Sequence, residues 1–174
     1  MIIGFIVAFL VVILDAIVKV VVMNNMALGE SFWLIPNFIR ICYVENTGMA
    51  FSMLSDSTWL LVLISLVASI ALGYIVYKYS NWVKNKILSL SLAFMFGGCV
   101  GNLIDRFLTL IGARGGVIDM IEIWFGSFHA IGNSTFNVAD AFLVVGCILL
   151  IIHIIVIEPI REHKKNKEEG NGEN

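Results

Sequence analysis

Four separate stretches of this chain are apolar over about 20 consecutive residues, the length an α-helix needs to cross the hydrocarbon core of a bilayer. They cover roughly residues 2–23, 59–77, 87–107 and 136–157. A soluble fold of 174 residues has no interior large enough to hide all four. Composition agrees: 59% of residues are hydrophobic and 14% charged, against about 45–50% and about 25% in a soluble domain. Mean hydropathy is +0.93. So much apolar mass excludes disorder. The first window lacks a basic leader and a small-residue cleavage site, and it contains Asp15 and Lys19. It therefore reads as a span rather than a removable signal. A formal net charge of -2 provides no basic field for nucleic acid. Cys42, Cys99 and Cys147 are odd in number and form no CxxC, which argues against a disulfide framework or a zinc site.

Lys and Arg placement orients the spans. Lys78, Lys84 and Lys86 lie between the second and third spans, and Arg161, Lys164, Lys165 and Lys167 follow the fourth. The two long connections, 24–58 and 108–135, hold only Arg40 and Arg114. The basic segments, and with them both termini, are expected in the cytoplasm. Residues 1–160 then form a single membrane domain, and 161–174 a polar, disordered cytoplasmic tail. The outer connections are not featureless. SFWLIPNFIRICY (31–43) and VIDMIEIWF (117–125) are rich in aromatic and β-branched residues, which favours short strands in a small sheet, with Trp33 and Trp124 at headgroup depth.

Ionisable residues inside a bilayer are costly and mark functional candidates. With the orientation above, Asp15, Lys19, Asn102, Asp105, Arg106, Asn137 and Asp140 all fall toward the outer ends of their spans, level with Asn46 and Asp119 in the outer connections. Asp15 and Lys19 are spaced i,i+4 and are expected to pair. Gly98, Asn102, Asp105 and Arg106 fall on one helical face, as do Asn137 and Asp140. Gly97 and Gly101 form a GxxxG, which reads as helix packing. Asp105 and Arg106 also suit simple interfacial placement. Two carboxyls held close cannot both ionise easily and share a proton. One can then activate water while the other polarises a peptide carbonyl, which is metal-free amide hydrolysis. No HExxH or GxSxG occurs, and His129, His153 and His163 are dispersed. Spacing alone does not choose Asp119 over Glu122.

At this point the residues match a family pattern. LDAIVK (14–19), ENTGMAF (45–51), GGCVGNLIDR (97–106), VIDMI (117–121) and FNVAD (136–140) occur in the order found in signal peptidase II, the bacterial lipoprotein signal peptidases, and span nearly the whole chain. The chain resembles that family of intramembrane aspartyl proteases. The resemblance implies a mainly α, integral membrane fold: a four-transmembrane-helix bundle with a small extracytoplasmic β-sheet cradle and a short outer helix acting as a clamp after Asn46. It implies that Asp119 and Asp140 are the catalytic dyad. Asn46, Gly48, Gly98, Asn102, Arg106 and Asn137 would line the pocket, bind substrate or orient the aspartates. Asp15 and Asp105 would support them, with Asp105 holding Arg106. Substrates would be diacylglyceryl-modified prolipoproteins, cut just before the lipidated cysteine. Membrane lipid and globomycin-type cyclic peptides are the other expected partners, and no cofactor is implied. Two departures stand out: Met120 sits where the family often has Phe, and the approach to FNVAD, HAIGNST (129–135), lacks a Pro. The competing readings are a small proton- or ion-coupled transporter and a non-enzymatic assembly factor. The first wants charges near the midplane, and the second tolerates Asp→Asn changes.

Overall fold

The structure is a computed structural model, which describes residues 1–48, 57–125, 128–129 and 135–171. Two expectations fall outside these residues: the clamp helix after Asn46, and most of the approach to the fourth span. Among the described residues, four helices are long and apolar enough to cross a membrane. They are α1 (Ile2–Asn25), α2 (Thr58–Tyr79), α3 (Lys86–Leu110) and a fourth helix beginning as α4 (Val138–Ile152). β1 (Ser31–Ile35) and β2 (Ile39–Asn46) lie between α1 and α2, while β3 (Val117–Phe125) and β4 (Phe128–His129) lie between α3 and α4. The strands form one antiparallel sheet in the order β1-β2-β3-β4.

The β1–β2 hairpin turns on Pro36-Asn37, closed by the Phe38 N–H donating to the Ile35 carbonyl at 3.0 Å. Asn37 takes φ 59°, the left-handed position that Asn tolerates better than most residues. β2 then pairs with β3, far away in sequence, with Asn46 opposite Val117 and Arg40 opposite Glu122. Strand alternation sends Ile118 and Met120 into a core with Val22 of α1, so Asp119 faces the other way. On the outer strand, Phe32, Trp33, Leu34 and Ile35 stay exposed. Such an apolar edge would be an aggregation hazard in water, but it suits a sheet lying at a membrane interface. Trp33 and Trp124 meet edge to face at 5.7 Å.

α3 is the central helix, and its glycines set how closely its neighbours approach. A Cβ on Gly98 would lie 2.4 Å from the Ala139 carbonyl of α4. One on Gly97 would meet the Ala8 carbonyl of α1 at 2.8 Å, and one on Gly101 would touch both Asp15 and Ala139. The GxxxG stripe is therefore packing, as small residues in membrane helices commonly are, and it seats the first turn of α4 against α1 and α3.

The tail departs from its expected disorder. The fourth helix runs on through a π-helical turn (His153–Ile157) into α5 (Glu158–Asn171). An established helix extends without a new nucleation cost, and Glu and Lys are good helix formers. The wide turn accommodates Pro159, which lacks an N–H and would crowd the carbonyl four residues back. Within it the Glu158 N–H reaches the His153 carbonyl.

Gly98→Ala is expected to lower the stability of the detergent-purified protein by roughly 1–3 kcal/mol, the cost of overpacking a tight contact. An unchanged thermal unfolding midpoint would show that α3 and α4 can part freely.

Candidate active site

α4 starts buried, with Asn137 and Ala139 both 0% exposed, so its first N–H groups need partners from the protein itself. Three side chains supply them. Asn137 is the N-cap, and its Oδ1 accepts from the Asp140 N–H at 2.9 Å. Asp140 Oδ2 accepts in return from the Asn137 N–H at 3.2 Å. The i,i+3 pair seen in the sequence is thus a capping box. Asp15, on α1, accepts the Ala139 N–H at 2.9 Å. The preceding residue, Phe136, is pinned to β3 by backbone hydrogen bonds with Met120 and Ile121. That places Asn137 one residue from the strand that carries Asp119.

The two candidate catalytic carboxyls meet around this cap. Asn137 Nδ2 donates to Asp119 Oδ1 at 2.8 Å and to Asn102 Oδ1 at 2.9 Å. Asn102 Nδ2 donates to Asp140 Oδ1 at 2.6 Å. Asn46 Nδ2 donates to Asp119 Oδ2 at 3.0 Å, and its own Oδ1 accepts from the Gly48 N–H at 2.9 Å. The Gly48 bond fixes which end of the Asn46 amide faces the aspartate. Asn137 is fully buried and Asp119 is 2% exposed. The linkage between the two carboxyls thus runs through amides: Asn137 contacts both, and Asn102 joins Asn137 to Asp140.

Burial pushes the Asp119 carboxyl up to about 7. Against burial, the Asn46 amide lowers it; the Asp140 carboxylate raises it further, and the Asn137 amide and the Lys19 ammonium pull it back. A carboxyl poised near neutrality beside a second carboxyl is suited to proton transfer at physiological pH.

A buried charge cluster holds this arrangement. Lys19 is 1% exposed, with its Nζ 2.6 Å from both Asp15 Oδ2 and Asp105 Oδ2. Arg114 pairs with the other oxygen of Asp105. Two anions and two cations balance, which low-dielectric burial demands. The expectation that Asp105 holds Arg106 is corrected. Adjacent helical residues point about 100° apart and do not face each other. Asp105 turns to α1 and Arg114, whereas Arg106 turns to α2 and donates to Ser65 Oγ at 2.9 Å. Their placement on one face with Asn102 fails for the same reason. Of the expected site residues, Asn46, Gly48, Asn102, Asn137, Asp119 and Asp140 come together. Gly98 acts through helix packing, Asp15 and Asp105 lie in the supporting cluster, and Arg106 stands to one side. Arg114 is the residue of this cluster that the sequence did not single out. The i,i+4 spacing announced the Lys19–Asp15 pair, but nothing local announced that Asp105 and Arg114 join it.

The sequence profile of the family described as Signal peptidase (SPase) II matches residues 7–156. The chain is 35% identical over 164 residues to the lipoprotein signal peptidase of Bacillus pumilus, covering 94% of this chain and 96% of that protein. It is 34% identical over 153 residues to that of Listeria monocytogenes, covering 87% and 92%. Two solved bacterial membrane enzymes, determined in meso at 2.3 and 1.9 Å, superpose with TM-scores of 0.74 and 0.73 at 33% identity. The first match covers 87% of each chain, the second 88% of this chain and 92% of the other. A profile that spans most of the chain, relatives of matching length and a shared fold lead to one conclusion: this multi-pass membrane protein is a protease belonging to the signal peptidase II family.

Proposed function

We propose that the protein hydrolyses diacylglyceryl-modified prolipoproteins just before the lipidated cysteine, with Asp119 and Asp140 as an intramembrane aspartyl dyad. The observation that carries this reading is the convergence of both carboxyls on Asn137, with Asp119 poised near neutrality. The relatives' name, lipoprotein signal peptidase, supports lipoprotein precursors as the substrate class. Membrane geometry fits it. The dyad lies at the end of the bundle that bears the apolar-edged sheet, where a lipidated cysteine and a membrane-embedded signal helix would present their junction. With the basic connection and tail in the cytoplasm, this end faces the outer leaflet of a bacterial cytoplasmic membrane. Residues 1–160 act as one membrane domain.

In the reaction, Asp140 takes a proton from water as the water oxygen bonds to the scissile carbonyl carbon. Asp119 gives its proton to the carbonyl oxygen. On collapse the C–N bond breaks, Asp140 returns its proton to the leaving nitrogen, and a diol hydroxyl re-protonates Asp119. Atoms and protons balance with water alone. Asn46, Asn102 and Asn137 hold the carboxyls in register. Arg106, held by Ser65 of α2, stands to one side of this network. Globomycin-type peptides are expected to compete for the same cleft. The transporter reading is not favoured by the family comparisons.

Asp119→Asn and Asp140→Asn are each expected to cut processing of a lipid-modified precursor by on the order of a thousandfold or more while the protein still inserts; wild-type turnover in either variant would refute the dyad. EDTA is expected to leave turnover unchanged. The pH profile of kcat/KM is expected to fall as pH rises through about 7, where Asp119 loses its proton. Asn46→Ala removes a bond that lowers Asp119, so its basic limb should move to higher pH. A limb that stays put or moves down would mean that Asp119 is not the titrating group.

A further inference from the structure

The end of the bundle opposite the sheet carries a second cluster that peptide hydrolysis does not use. A furrow of about 390 Å³ runs between α2, α3 and the fourth helix, walled by Leu72, Ile75, Leu92, Met95, Leu150 and Ile154. A hollow of about 280 Å³ is bounded by Lys84, Asn85, Lys86 and Arg161. His153 lines both. It is 5% exposed; its Nε2 lies 3.3 Å from Glu158 Oε2, while its Nδ1 is buried with no partner among the described residues. Asn85 Oδ1 is likewise buried and unpartnered there. Buried polar atoms without partners cost stability, so these two favour an occupant that can hydrogen-bond. Arg161 donates to the Lys84 carbonyl. This bond ties the fourth helix to the α2–α3 turn and gathers the cations around one mouth.

We propose that this end binds one anionic phospholipid, with its phosphate against Lys84, Lys86 and Arg161 and an acyl chain in the furrow. Charge complementarity selects the headgroup. Three cations border the hollow, and the acidic residue lining the furrow, Glu158, already faces His153. Basic pockets between membrane helices attract anionic headgroups in this way. A zwitterionic headgroup would bring a cation of its own to the same mouth. Free phosphate would suit the mouth but leave the apolar furrow unfilled. The site stands apart from the carboxyl network, so it does not depend on the catalytic assignment.

The test titrates the purified full chain in detergent with phosphatidylglycerol, phosphatidylcholine or inorganic phosphate and reads retained ligand by native mass spectrometry. Phosphatidylglycerol is expected to be held at one per protein, at least about tenfold more tightly than either alternative. Lys84→Gln/Lys86→Gln/Arg161→Gln is expected to weaken it on the order of a hundredfold. The surface pair Lys84→Gln/Lys86→Gln, which leaves the Arg161 tie intact, should give an intermediate loss. Leu150→Trp, filling the furrow, should also weaken retention, whereas Asp119→Asn at the far end should not. Equal retention of phosphatidylcholine, equal competition by phosphate, or unchanged binding in the triple variant would overturn the proposal.

Discussion

α4 begins against α1 and β3, and the hydrogen bonds of its first turn organise the sheet end of the bundle. A helix that begins buried brings N–H groups that must find partners within the protein. Here Asp15 takes the Ala139 N–H and Asn137 takes the Asp140 N–H. Both need α4 to sit tightly on α1 and α3, which the bare faces of Gly98 and Gly101 allow. The same cap that satisfies the backbone also aims Asp140. A structural requirement of membrane folding and the placement of a candidate catalytic group are thus met by one turn of helix.

Around that cap, polar groups are used almost completely. Asn137 donates both side-chain hydrogens and accepts on its oxygen, while Asn102 and Asn46 each donate and accept. A fully satisfied buried network is rigid, because any rotation strands a donor or acceptor at low dielectric. Amides also carry no charge, so they orient the carboxyls without neutralising them. Charge is handled one layer away, where Lys19 and Arg114 balance Asp15 and Asp105. Lys19 still reaches Asp119 through its field and tempers the rise that burial imposes.

The two ends of the bundle divide the labour. The sheet end is crowded with acids and amides held by β2–β3 pairing and the α4 cap. The other end gathers Lys84, Lys86 and Arg161 beside an apolar furrow. The π-helical turn at His153–Ile157 lies at this second end, where it absorbs Pro159 and lets the helix continue past the bilayer's expected edge.

Much of this was legible in the sequence. Hydropathy located four apolar helices, the first three to within three residues at each end, whereas the fourth runs on beyond its expected end. β-branched and aromatic runs marked the strands, and i,i+4 spacing paired Asp15 with Lys19. Tertiary structure decided the rest. Asp119 and Glu122 were equal in spacing, but they lie on opposite faces of β3: Asp119 turns to the Asn46 and Asn137 amides, and Glu122 to Arg40 at 3.5 Å. Asp105 found Lys19 and Arg114 rather than its neighbour Arg106. The tail continued as helix where charge had argued for disorder. For the acidic residues the physical reason is the same. Local sequence fixes which groups must be buried or paired, while strand register and helix rotation, which depend on distant partners, fix with whom.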